Sequence, residues 1–329
     1  MSPAARRSGT EGADRISAKN ANTETPKEAY QPPWNFLGLP DEMSQADRAR
    51  AWVLPVPYEA TTSYGAGTRD GPAAIIAASR QVELFDPEFG CEPAAAIGVH
   101  TLRPIDPLHR SPEAMVERIE QAVAVILSGS PAPALLAVLG GEHSISAGVA
   151  RGLVAARGGE DLVAVQIDAH ADLRDEYEGT RYSHACAARR IAETCPVFQI
   201  GVRNISAEGE AFRRGSGRVT TVFADQANAG PELLAELAGF VRGKSVYLTI
   251  DLDGLDPSIM PAVGTPEPDG LSWARTVEIA RVICRAAAQV PALDVVELCP
   301  VPYLRGPEFL AAKLTYKLIS LALMRGEGH

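Results

Sequence analysis

The chain has 329 residues, 46% hydrophobic and 22% charged, a globular composition with room for one large α/β domain or two small ones. A formal net charge of −10 argues against a nucleic-acid partner, because a phosphate backbone selects for Lys and Arg. No apolar stretch reaches membrane-spanning length, no apolar core marks a signal peptide, and the five cysteines (91, 186, 195, 284, 299) form no C-x-x-C pair; these features predict a cytoplasmic protein with reduced thiols and no membrane partner.

Residues 1–32 are rich in Ser, Ala, Asn, Thr and charge and offer little to bury, which predicts a disordered or extended arm. Pro32-Pro33-Trp34-Asn35-Phe36-Leu37 is suited to pin its end to the body or to a neighbouring subunit. From residue 51 onward, strand-like and helix-like segments alternate. Strands are expected near 51–55, 134–139, 162–168, 197–202, 219–223, 245–251 and 293–298. Helices are expected near 71–84, 112–128, 145–157, 184–194, 231–242, 272–289 and 307–325. This alternation, without a composition break, predicts one domain over 33–329: a three-layer α/β/α fold with a mainly parallel sheet covered on both faces. Gly and Pro cluster at 254–270 and predict a loop at the mouth of a site.

Three of the apolar runs end in metal-type ligands. Leu162–Ile167 leads straight into Asp168-Ala169-His170-Ala171-Asp172. Side chains two apart on an extended chain point the same way, so Asp168, His170 and Asp172 converge beyond the strand's carboxyl end, where open α/β sheets place ligands. Ser245–Ile250 leads into Asp251-Leu252-Asp253, and Ala134–Leu139 into Gly140-Gly141-Glu142-His143-Ser144. A lone Asp after a strand is usually a turn or cap residue; three such clusters reverse that reading. Four carboxylates packed together repel one another unless cations compensate them. Two divalent ions balance that charge with both His neutral. Mixed carboxylate and imidazole donors suit manganese, iron, cobalt, nickel or zinc better than calcium. Gly140-Gly141 reads as a tight strand exit, not a phosphate cradle, and Glu142 as a solvated loop charge.

The motifs at 140–144, 168–172 and 251–257 (Asp-Leu-Asp-Gly-Leu-Asp-Pro) resemble, in order, the three metal motifs of the ureohydrolases, the arginases and agmatinases. Val296-Glu297-Leu298-Cys299-Pro300 is similar to the segment whose glutamate holds the guanidinium group, and Ser183-His184-Ala185 to the one carrying the catalytic histidine. Residues 58–68 and Gly264-Thr265-Pro266-Glu267-Pro268 are similar to agmatinase-type segments. The likeness runs from about Trp52 to the C-terminus. It implies a hydrolase with two Mn2+ per subunit (Ni2+ or Co2+ being possible), assembled as a homotrimer or homohexamer. It makes His143, Asp168, His170, Asp172, Asp251 and Asp253 the metal ligands, with Asp168 and Asp251 the bridging candidates.

A guanidinium carbon is a poor electrophile, since resonance spreads its charge over three nitrogens and the group stays protonated. The expected chemistry is attack on that carbon by hydroxide generated between two ions, yielding urea and an amine. Glu297 would fix the guanidinium plane, Asp253 would accept a proton or hydrogen bond from the nucleophile, and His184 would protonate the leaving amine. The loop 173–182 lacks the short Asn/Ser pattern of arginases, which tilts the reading to agmatine, giving putrescine and urea in polyamine biosynthesis. Asp175, Glu176 or Glu178 would meet its ammonium; Arg174 and Arg181 would instead meet the carboxylate of 4-guanidinobutanoate. A guanidinobutyrase or other guanidino-acid hydrolase, an arginase, and a non-catalytic ureohydrolase-like assembly or regulatory protein remain as alternatives.

Overall fold

Eight segments form strands: β1 (Ala51–Val56), β2 (Val99–Thr101, a short edge strand with no apolar run to predict it), β3 (Leu135–Gly140), β4 (Leu162–Ile167), β5 (Val197–Val202), β6 (Val219–Phe223), β7 (Ser245–Asp251) and β8 (Gln289–Val296). The computed structural model describes residues 34–324, so the arm expected at 1–32 lies outside the described residues. All strands pair in parallel in one sheet of order β2-β1-β3-β8-β7-β4-β5-β6. Six of the eight strands are buried along their whole length or at all but the first residue, as a sheet with both faces covered requires. In β4, Leu162 and Ala164 pack on one face with the helices Pro112–Ser128, Ile145–Arg157 and Ala187–Thr194. Val163, Val165 and Ile167 pack on the other with Gly71–Ser79, Glu232–Val241, Trp273–Ala286 and Gly306–Leu323. The expected three-layer α/β/α architecture is therefore present.

Two departures have local causes. The helix expected over 272–289 stops at Ala286, and β8 begins at Gln289, ahead of the expected 293. Pro291 interrupts the strand pattern because proline cannot donate to a ladder. The sheet accommodates it at an irregularity, where the register against β7 steps from Ser245–Gln289 to Tyr247–Ala292. The helix Ala207–Ser216 was not expected: it buries only Gly209, and the Ser206 hydroxyl caps it by accepting from the Gly209 N–H. It therefore carries no apolar stripe to announce it.

β3 and β4 follow one another in the chain, yet β8 and β7 lie between them in the sheet. The chain reverses direction across the sheet there, and such reversals open a crevice at the carboxyl edge. The four contiguous central strands, β3-β8-β7-β4, are those that end in the candidate site residues.

Candidate metal centre

His143 lies three residues past β3, in a turn that Gly141 makes possible. A Cβ on Gly141 would collide with the carbonyl oxygen of Tyr58, so only glycine fits. The buried ring of His143 places Nδ1 at 3.1 Å from Asp168 Oδ2, 3.3 Å from Asp172 Oδ2 and 3.2 Å from Asp251 Oδ2. Its other nitrogen, Nε2, lies 2.9 Å from Thr249 Oγ1. Asp168 follows β4 directly; its Oδ1 accepts the His170 N–H at 2.6 Å and its Oδ2 accepts from Gln166 Nε2 at 2.6 Å. Asp251 ends β7, and the next turn carries Asp253, whose Oδ2 lies 2.8 Å from His170 Nδ1 and whose Oδ1 accepts the Ala169 N–H at 3.0 Å. Gly254 lets that turn pass, since a Cβ there would lie 2.8 Å from the Asp168 nitrogen.

Ligand atoms of His143, Asp168 and Asp172 lie within 4.8 Å of one another, as do those of Asp168, His170 and Asp253. The two groups share Asp168. His143 Nδ1 is buried and, although three carboxylate oxygens surround it, forms no directed hydrogen bond with any of them. Two adjoining groups, each of anionic oxygens with one imidazole, are the donor sets of cations, and divalent ions fit them. The electrostatics agree. Burial, then the charges of Asp253 and Asp172, push the Asp168 carboxyl up. Burial opposes charge on His170, but the Asp253 carboxylate outweighs it and raises that imidazole to about 10. Such a cluster draws positive charge, as protons or as metal.

Glu297 follows β8. Its carboxylate is buried, its Oε1 accepts the His143 N–H at 2.6 Å, and burial together with nearby Glu142 raises it above the usual carboxylate range. Glu297 (φ 66°) and Asp172 (φ 50°) both adopt left-handed backbone, which costs on the order of 1–3 kcal/mol per residue and concentrates at functional sites.

A cleft of about 250 Å³ opens above these groups. It is lined by His143, His170, Asp172, His184, Asp251, Asp253 and Glu297, so those expected site residues share one cavity. His184 stands in its wall, with Nε2 3.1 Å from Ser63 Oγ and Nδ1 3.3 Å from Thr61 Oγ1. The loop 254–270 contributes Gly264, Thr265 and Glu267 to the wall.

Asp175, Glu176 and Glu178 are not among the lining residues. Asp175 is drawn away by Arg190 at 2.6 Å and Arg181 at 3.0 Å, because charged pairs form wherever the turn brings them together. Arg181 is engaged with Asp175 and Glu193, whereas Arg174 does line the cleft and stacks over the Tyr177 ring at 5.0 Å. Glu142 departs from its expectation as a solvated charge: it is 0% exposed. Its carboxylate accepts from the Ala60 and Thr61 N–H groups and from the hydroxyls of Thr61 and Ser144, fastening the loop that flanks His184. Two further residues, Glu267 and Asn204, have no site role assigned by the sequence alone. Asn204 Nδ2 donates to Glu267 Oε1 at 2.8 Å, and that oxygen lies 3.8 Å from His170 Nε2. Asn204 sits just past the carboxyl end of β5, and the rule that located Asp168 would have located it too.

Comparison with known proteins agrees with this geometry. The model of the arginase family matches residues 49–320. The chain belongs to the arginase family. It is 37% identical over 301 residues to the N(1)-aminopropylagmatine ureohydrolase of Synechocystis sp., covering 90% of this chain and 96% of that one. It is 31% identical to the guanidinobutyrase of Pseudomonas aeruginosa, covering 86% and 90%. The solved agmatine ureohydrolase of Thermoplasma volcanium superposes with a TM-score of 0.76 at 28% identity, covering 88% of this chain and 94% of that one. This arginase-family chain is therefore a hydrolase of the ureohydrolase group, which acts on C–N bonds of amidines. Among the described residues, no helix is long and apolar enough to cross a membrane.

Proposed function

We propose that the chain is a metal-dependent amidinohydrolase acting on a guanidino amine, either agmatine or its N1-aminopropyl derivative. It releases urea and the corresponding amine, which from agmatine is putrescine. The observation that carries this reading is the meeting of His143, Asp168, Asp172 and Asp251 beneath a cleft that also contains Glu297. His143, Asp168, His170, Asp172, Asp251 and Asp253 would hold two divalent ions, most suitably Mn2+, with Ni2+ and Co2+ accepted by the same donors. The bound pair would lower the pKa of water in the cleft from ~15.7 toward ~7 and supply a nucleophile at neutral pH.

The chain's own residues do the rest. Glu297 spends Oε1 on the His143 N–H, which leaves Oε2 to pair with guanidinium N–H groups and fix their plane. Asp253 accepts a hydrogen bond or proton from the attacking water. His184, steadied by Thr61 and Ser63, delivers a proton to the nitrogen of the leaving amine. Glu267, aimed into the cleft by Asn204, meets the substrate's distal ammonium, the role first considered for Asp175, Glu176 or Glu178. Arg174 in the cleft wall favours a second reading, in which its guanidinium meets the carboxylate of 4-guanidinobutanoate. The remainder of the proposal is one catalytic domain over 33–329, a cytoplasmic homotrimer or homohexamer, and a place in polyamine biosynthesis. Free cysteines at every described position support the compartment.

The test is urea release from agmatine, N1-aminopropylagmatine, 4-guanidinobutanoate, arginine and guanidine, with Mn2+ or Ni2+ restored after chelation. The amines should be the best substrates, with two ions per chain. Two bound ions and no urea from any compound would instead support a non-catalytic assembly or regulatory protein.

A further inference from the structure

Below the metal centre a row of polar side chains crosses the sheet. Thr221, Gln199, Gln166, Thr249 and Asp294 stand in successive register on β6, β5, β4, β7 and β8. Asp294 is wholly buried and has no part in the chemistry above. Its Oδ2 accepts from the Ser146 hydroxyl at 2.8 Å and from the Tyr247 hydroxyl, while its Oδ1 has no partner. Ser146 Oγ lies 3.4 Å from Thr249 Oγ1, and Thr249 Oγ1 lies 2.9 Å from His143 Nε2.

Proton order along this chain follows from its end. A carboxyl oxygen of this kind accepts, so Ser146 donates its one hydroxyl proton to Asp294. The Ser146 lone pair then receives the Thr249 proton, and the Thr249 lone pair receives the proton on His143 Nε2. Each proton points away from the imidazole. Nδ1 is left bare, facing Asp168, Asp172 and Asp251 at 3.1 to 3.3 Å. The order survives protonation of Asp294. Burial pushes that carboxyl up, and a proton would sit on the unpartnered Oδ1, so Oδ2 still accepts. Gln166 steadies Asp168 from the same row, through its Nε2.

We propose that Asp294, acting through Ser146 and Thr249, is a positioning residue that sets the tautomer and ring orientation of His143 for metal ligation. The proposal rests on the metal centre read above. It explains why a polar chain is maintained on a face otherwise filled by Leu162, Ala164, Tyr247 and Ala292, where buried polar groups are costly unless paired.

The experiment measures Mn2+ dissociation constants of the full-length apoprotein by equilibrium dialysis, alongside the Mn2+ electron paramagnetic resonance spectrum. Melting of each apoprotein reports folding. Thr249→Val and Asp294→Leu should each weaken one of the two ions by about 10–100-fold and alter its spectrum. Thr249→Ser and Asp294→Asn, which keep the hydroxyl and an acceptor oxygen, should stay close to wild type. Ser146→Ala should fall between the two groups, and it carries the test if Asp294→Leu does not fold. Wild-type constants for both ions in Thr249→Val and Ser146→Ala would overturn the proposal while leaving the metal centre standing. A wild-type apoprotein that takes up no ions would overturn the metal centre, and this proposal with it.

Discussion

The two sides of the cleft are built on different supports. On the metal side, His143, Asp168, Asp251 and Asp253 are almost wholly buried at the ends of three central strands, β3, β4 and β7, each held by a backbone or side-chain hydrogen bond. On the substrate side, Ser63, Tyr64, Arg174, Tyr177 and Glu267 stand on loops, and Tyr64 is 85% exposed. Strand ends hold a constellation that tolerates little displacement, whereas loops can change chemistry without disturbing the sheet. The contrast predicts that metal-side substitutions abolish activity on every guanidine and that loop substitutions re-rank substrates.

The largest effect should come from Asp168→Asn, which removes a charge shared by both ligand groups. Metal analysis should show fewer than two ions per chain, and kcat/KM should fall by at least about 10²–10³-fold. Equal loss for all substrates supports the comparison; retention of two ions and full turnover would break it. Glu297→Gln should keep its ions yet lose on the order of 2–5 kcal/mol in kcat/KM, because a buried carboxylate that pairs with guanidinium is gone. Kinetics on metal-replete enzyme check this.

Glu267→Gln sharpens the other half. It should raise KM for agmatine by about tenfold, roughly 1.4 kcal/mol, while leaving guanidine unchanged. An equal loss for both would return Glu267 to the metal side. Glu142→Gln should lower stability by about 1–3 kcal/mol, read by denaturant titration, because backbone donors of Ala60 and Thr61 lose a charged acceptor.

The smallest effect lies far from both sides. Hydrogen bonds from Arg281, and then Lys317, hold the Glu88 carboxyl at about 2. Its folded pKa is below the unfolded one, so the contribution is full above ~4.5 and is lost as pH falls toward 2. Solvent screening limits it to at most about 1 kcal/mol. Arg281→Gln should therefore lower stability toward urea at pH 7 by up to that amount, and the difference from wild type should vanish as pH falls toward 2.

Much of the metal side was legible in the chain. Asp168, His170 and Asp172 follow an apolar run at alternate positions, the spacing that strand geometry turns to one side, although β4 ends at Ile167 and Asp172 adopts left-handed backbone. The substrate side was less so. Asp175, Glu176 and Glu178 lie within a loop that does reach the cleft, but nothing local reveals that Arg181 and Arg190 take Asp175. Glu142 reads as a solvated charge until the loop after β1 is folded over it. The Glu267 carboxylate is directed by Asn204, 63 positions away.

The linear order of residues therefore determined the fold class, the parallel sheet and the kinds of donor available, since period and spacing act over a few residues and need no distant partner. Only the tertiary structure decided that β8 and β7 lie between β3 and β4, bringing the donors after β3, β4 and β7 and Glu297 after β8 to one place. The same placement set Asp294 two hydroxyls away from His143. Strand order is chosen by the packing of whole faces and by crossover connections, a collective property that no short stretch of chain encodes.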